Sequence, residues 1–280
     1  MRMLICLFGI LVLSAAMFLG CGRPGGDGNI PNVTPTSSPL VSLAIAPTDP
    51  FIASGAPQQF SATGTYANGT HQDLTVPSFW TSSNPLLISI TTGGLATFVK
   101  VGGPVTITAT VGGISASVVI PARKVVFVTS AGYNGNFGGL NGSDVKCVAR
   151  ATAAGLSNAG NFKAWLSTAA VNAVERFAAG NGPWVRLDGM KAAKSASDLA
   201  GGSLLTPISL DESGVNQALS VWTGTLSNGT ASAGLTCDNW TTAGAGNNAT
   251  FGRSDFATAF WTNNGNSACD TVMPLYCLEN

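Results

Sequence analysis

With 280 residues the chain is long enough for two domains of ordinary size, each with its own core. Charged residues make up only 9%, with 13 basic and 13 acidic residues giving a formal net charge of +0, alongside 35 glycines. That balance excludes long charged helices and supplies no run of Lys or Arg to neutralise phosphates, so no nucleic-acid partner is expected and heparin-like polyanions lose their easiest route. The single histidine, His71, rules out a His-based metal cluster and reads as a solvated loop residue.

Residues 1–20 read as a secretion signal. Arg2 supplies the positive start, and Leu4 to Leu19 is almost unbrokenly apolar. The end of this run, Phe18-Leu19-Gly20-Cys21, resembles the bacterial lipobox, which implies lipidation of Cys21, a new N-terminus there and attachment to a membrane through acyl chains such as palmitate. Cys6 would leave with the signal. Residues 21–40 are rich in Gly, Pro, Ser, Thr and Asn with no apolar period, which predicts a flexible tether.

From Val41 the pattern changes to short alternating strands. Val105, Ile107, Ala109 and Val111 alternate with Thr106, Thr108 and Thr110, and a Gly112-Gly113 turn leads into Ile114, Ala116 and Val118, a hairpin with one buried face. Phe60, Ala62 and Tyr66 precede the turn formers Asn68-Gly69, and Trp80 sits mid-strand ahead of the Ser82–Pro85 turn. This spacing predicts a β-sandwich with Trp80 in its core. The motifs QFSATGTYANGTHQDLT, FWTSSNP and GLATFVKVGGPVTITATVGG resemble the group 2 bacterial immunoglobulin-like domain, placed at residues 41–121. The resemblance implies a stalk or spacer module.

After a short junction, residues 124–280 begin with a predicted strand, Val125 to Thr129, and a turn, Gly132 to Gly139. A helix carrying Val145, Cys147, Val148, Ala149 and Ala153 follows, with Ser143 or Asn141 as its cap and Gly155 at its end. Lys163 to Leu166, Trp184 to Leu187 and Ser220 to Thr225 read as strands, and Ser195 to Leu199 as a helical turn. The expected class is α+β with much irregular structure.

Four cysteines remain, Cys147, Cys237, Cys269 and Cys277, and on their own they allow three pairings. Cys147 on an early helix, the VWTGT segment with Trp222, Cys237 with Trp240, Trp261 before Cys269, and a final LYCLE together resemble the C-type lectin-like fold. That resemblance implies the pairs Cys147–Cys277 and Cys237–Cys269. The run KVVFVTSAGYNGNFGGLNGSDVKC with FKAWLS, WVRLDG, SDLAGGSLLTPISLDESG, VWTGT and LYCLEN is similar to the C-terminal domain of the leptospiral endostatin-like lipoproteins, over nearly all of residues 124–280. It implies a surface-exposed outer-membrane lipoprotein whose partners are host extracellular-matrix proteins or complement regulators.

Calcium-dependent glycan binding would need several oxygen ligands converging on one ion. Asn263, Asn264 and Asp270 near Cys269, and Asp211 with Glu212, are the candidates, but the Glu-Pro-Asn element of sugar-binding lectins is missing. No cofactor is therefore expected, with calcium the one to check. Lys146, Arg150, Arg176, Arg186 and Arg253 are scattered rather than clustered, and Trp222, Trp240 and Trp261 read as core residues beside the cysteines. Without a histidine in this half, the usual triads and zinc sites are absent, and no enzyme is expected. The expected function is an adhesin-like binding protein. The alternatives are a structural envelope lipoprotein without a host ligand and a calcium-dependent lectin.

Overall fold

Hydroxyl-bearing and β-branched residues on alternate positions make the first half a set of short antiparallel strands. The structure is a computed structural model that describes residues 38–177 and 182–280. The predicted signal at 1–20, Cys21 and all but the last three residues of the tether lie outside the described residues. Strands β1 (Leu40–Ala46), β2 (Gln58–Gln59), β3 (Ser61–Tyr66), β4 (His71–Asp73), β5 (Phe79–Ser82), β6 (Ile88–Ile90), β7 (Leu95–Phe98), β8 (Val105–Val111) and β9 (Ile114–Ile120) form three three-stranded sheets. Their orders are β1-β3-β4, β2-β7-β6 and β5-β8-β9. The β8–β9 register runs unbroken from Val105 opposite Ile120 to Val111 opposite Ile114. Gly112 and Gly113 both have positive φ, which a tight hairpin of the right twist requires. Ile45, Phe60, Trp80, Ile107 and Ala109 fill the core of this half, and the Trp80 indole N–H donates to the Thr75 carbonyl at 2.8 Å.

The second half is built around its own two ends. β10 (Lys124–Val128) pairs antiparallel with β17 (Tyr276–Glu279), and the five-stranded sheet has the order β11-β17-β10-β12-β13, with β11 at Phe162–Ala164, β12 at Trp184–Val185 and β13 at Lys191–Ala193. All four residues of β17 are buried, as a central strand covered on both faces should be. A separate sheet, β14-β15-β16, comprises Ser220–Trp222, Asn248–Arg253 and Gly265–Ala268. The helix α1 spans Gly139–Ala153 and packs against β11.

The helix starts earlier than its polar residues indicate. Gly138, left-handed at φ 80°, is the cap residue and no side chain caps it, while Ser143 Oγ donates back to the Leu140 carbonyl within the helix. At the other end Gly155 (φ 64°) follows the cap, as expected. A short helix α2 (Ala196–Ala200) and a one-turn helix α3 (Cys237–Trp240) complete the three helices among the described residues. Two disulfides are present, Cys147–Cys277 and Cys237–Cys269. The protein is thus a β-rich chain with few helices, and residues 38–280 form one compact unit.

Candidate functional site

Five tryptophans of the second half, Trp165, Trp184, Trp222, Trp240 and Trp261, are fully buried. Four of their indole N–H groups donate to acceptors within the fold: Trp165 to the Thr262 hydroxyl, Trp184 to the Glu279 carbonyl, Trp222 to the Tyr133 carbonyl and Trp240 to the Ser167 carbonyl. They are core, and none offers a surface platform. The carboxylates of the central loop are committed too. Asp211 accepts from the backbone N–H of Ser213 and Val215 and from the Gln217 amide, closing a turn. Glu212 accepts from the Ser130 N–H and hydroxyl and faces Arg150 at 3.3 Å.

The calcium candidates are not brought together. Asn263 and Asn264 precede β16 and Asp270 follows it, so roughly 13 Å of extended strand stands between the two groups. Among the described residues, no three His, Cys, Asp or Glu side chains form a metal-holding cluster. The cations are likewise individually occupied. Arg176 forks onto Asp144, Arg186 pairs with Asp188 and Arg253 with Asp255, while Lys146 lies 4.7 Å from the Tyr133 ring centroid. Arg253 holds the Asp255 carboxyl below the usual carboxylate range through its hydrogen bonds.

What remains exposed and chemically distinctive is aromatic. Phe256 and Phe260, 39% and 50% exposed, meet edge to face with ring centroids 5.9 Å apart. The Arg253 guanidinium lies 5.9 Å from the Phe256 ring. Their loop is fixed at several points. Ser254 exchanges backbone and side-chain hydrogen bonds with Leu219 and Gln217, Ala257 accepts from the Leu204 N–H, and the Asn263 N–H returns to Ala259. Trp261, next to Phe260, is locked inside against Trp165 and Tyr276. Gly252 lies under the same loop, where a Cβ would fall 1.9 Å from the Trp261 carbonyl oxygen. Exposed Leu205 and Leu219 border these anchor points.

A pre-ordered aromatic pair beside an Arg has the composition of an interface centre. Sequence reasoning missed it because Phe256 and Phe260 lie in a polar stretch and Trp240 and Trp261 drew attention as larger aromatics. The signal available was the spacing Phe256-Ala-Thr-Ala-Phe260-Trp261, in which two of three aromatics cannot share the inner face with Trp261.

No family model matches the chain. A stretch of 70 residues, 25% of the chain, is 43% identical to Ice-binding protein 1 of Shewanella frigidimarina (strain NCIMB 400). The chain spans less than a tenth of that relative's length, the matched stretch being 8% of it.

Proposed function

We infer that this chain is a non-catalytic, adhesin-like binding protein that engages a macromolecule through the Phe256–Phe260 ridge. In this reading Cys21 carries the lipid that holds it on the bacterial outer membrane. Residues 41–121 form a group 2 Ig-like stalk, and residues 124–280 a C-type lectin-like, endostatin-like head facing host matrix proteins or complement regulators. The observation that carries the reading is the pair of exposed, mutually packed phenylalanines on a loop pinned to the core. Exposed apolar rings are costly in water and gain free energy when a partner covers them. The disulfides support the same reading, since long irregular loops presented outside a reducing compartment benefit from covalent closure. The engagement of Asp211, Glu212, Arg150, Arg176, Arg186 and Arg253 in hydrogen bonds and ion pairs within the fold supports binding over catalysis. The likeness to part of an ice-binding protein supports a shared module, and the share of that protein involved is too small to carry its named ligand here.

The experiment is solution binding of the purified protein to immobilised matrix proteins and complement regulators, with the F256S/F260S variant beside it. Saturable binding that the variant loses supports the reading. A folded protein that binds none of the panel, or a variant that binds as before, refutes it.

A further inference from the structure

A cleft of 430 Å³ lies where the two halves of the compact unit meet. Leu87 and Val101 line it from the first half, and Val125, Leu156 and Leu187 from the second. Each belongs to a core or packs against one: Leu87 against the Trp80 cluster, and Val101, Leu156 and Leu187 against the cluster that contains Val125 and both disulfides. The apolar walls are therefore held by the folded cores rather than by mobile side chains.

The two walls are also fixed to each other. The Ser54 N–H of the first half donates to the Asp188 carbonyl of the second at 2.8 Å. The Arg123 guanidinium donates to the Ile52 carbonyl at 2.5 Å. Two cations approach the Phe51 ring, with Arg123 4.2 Å and Lys191 4.3 Å from its centroid, contacts that add about 0.5–1 kcal/mol each at a partly exposed site. The space is consequently a pre-formed cleft in the size range of small-molecule sites.

Two charged groups line the cleft, and they are not equivalent. Glu212 already accepts three hydrogen bonds or ion-pair contacts, from the Ser130 N–H, the Ser130 hydroxyl and Arg150. The Lys100 side chain is exposed, and among the described residues its ammonium has no hydrogen-bond or ion-pair partner. A cleft with an apolar wall, one uncommitted cation on its lining and its acid internally neutralised is complementary to an apolar tail ending in an anion. Ser157 and Ser213 also line the cleft. We propose that this cleft binds a single-chain anionic amphiphile, a medium- or long-chain carboxylate, with its tail among Leu87, Val101, Leu156 and Leu187 and its carboxylate at Lys100. The site is separate from the Phe256–Phe260 ridge and does not depend on it.

The test is calorimetric titration of the purified protein with decanoate, decanol and decyltrimethylammonium, each kept below micelle formation. Saturable 1:1 binding of decanoate is expected, with decanol weaker by about tenfold and the cation weaker still. K100Q is expected to bring decanoate down to the decanol level while leaving decanol unchanged, and L156W, which fills the cavity, to abolish both. Should L156W fail to fold, V101W provides the filled cavity, and the K100Q comparison stands alone. Absence of saturable decanoate binding, a preference for the cation, or binding indifferent to both K100Q and the filled cavity would overturn the proposal.

Discussion

The indole N–H of Trp240 donates to the carbonyl of Ser167 at 2.7 Å, tying a left-handed turn to the chain that leaves β11. All four residues of that turn have positive φ: Cys237 48°, Asp238 50°, Asn239 56° and Trp240 67°. Left-handed conformations cost non-glycine residues on the order of 1 kcal/mol or more each, with Asp and Asn the most tolerant. The turn persists because its surroundings impose it. Cys237 is bonded to Cys269, Phe137 stacks on Trp240 with centroids 5.2 Å apart, and the Phe137 and Gly138 N–H groups both donate to the Trp240 carbonyl. The exposed Asp238 side chain contributes none of these contacts. D238G is therefore expected to leave stability unchanged or raise it by about 0.5–1 kcal/mol, and D238V to lower it by at least about 1 kcal/mol. Denaturant midpoints of the two variants measure the contrast; equal destabilisation by both would mean that Asp238 has a stabilising role these contacts do not reveal.

The two disulfides should differ in worth. Cys147–Cys277 spans 130 residues and Cys237–Cys269 spans 32. On chain-entropy grounds the first stabilises by about 4–5 kcal/mol and the second by about 1 kcal/mol less. Thermal melts of the C147A/C277A and C237A/C269A proteins test this ordering, with the larger loss of Tm expected for the first pair.

Tyr276 gives the fold an alkaline limit. Its hydroxyl, fully buried, donates to the Trp261 carbonyl at 2.9 Å, and burial pushes its pKa well above the ordinary tyrosine value of about 10. The folded state then keeps a proton that the unfolded state releases. The resulting stabilisation is complete below pH about 10 and is lost progressively as pH rises from there toward the raised folded value. Y276F should cost about 1 kcal/mol at neutral pH through the lost hydrogen bond and should show a shallower fall in stability above pH 10. Urea unfolding of both proteins across pH 8 to 11 checks the difference in slope; equal slopes contradict it.

The two kinds of aromatic residue in the 254–262 segment should separate stability from binding. Truncating the half-exposed Phe256 or Phe260 to Ala removes little buried surface and should cost under about 1 kcal/mol, whereas W261A, emptying a site between Trp165 and Tyr276, should cost about 3–5 kcal/mol. Unfolding midpoints of the three variants decide the point.

Local patterns carried much of the strand reading. The alternation through Val105–Val111 and the Gly112-Gly113 turn marked the β8–β9 hairpin, and the strand expected at Lys163–Leu166 starts one residue earlier and ends two earlier, at Phe162–Ala164. Cys147 does lie on the early helix, although a left-handed Gly138 opens it rather than Ser143 or Asn141. The joined cysteines are those that the C-type lectin-like resemblance implied; composition and spacing alone left three pairings open.

Long-range geometry was not legible. Nothing local to Lys124–Val128 says that its neighbours in the sheet are the last strand of the chain and, in parallel, Trp184–Val185. The left-handed turn at Cys237–Trp240 contains no glycine to announce it, because its conformation is imposed by the disulfide and the packing of Trp240. The carboxylates of Asp211 and Glu212 looked available as ligands in sequence. Only their backbone and Arg150 partners, which come from folding, reveal that they are structural.

The measurement that tests the central claim most directly is binding of the wild-type protein and its F256S/F260S variant to a surface panel of matrix proteins and complement regulators, with melting curves confirming that both are folded. The account predicts saturable binding to at least one partner by the wild type and a loss of about tenfold or more in the variant. Equal binding by the two proteins, or none by a folded wild type, would contradict it.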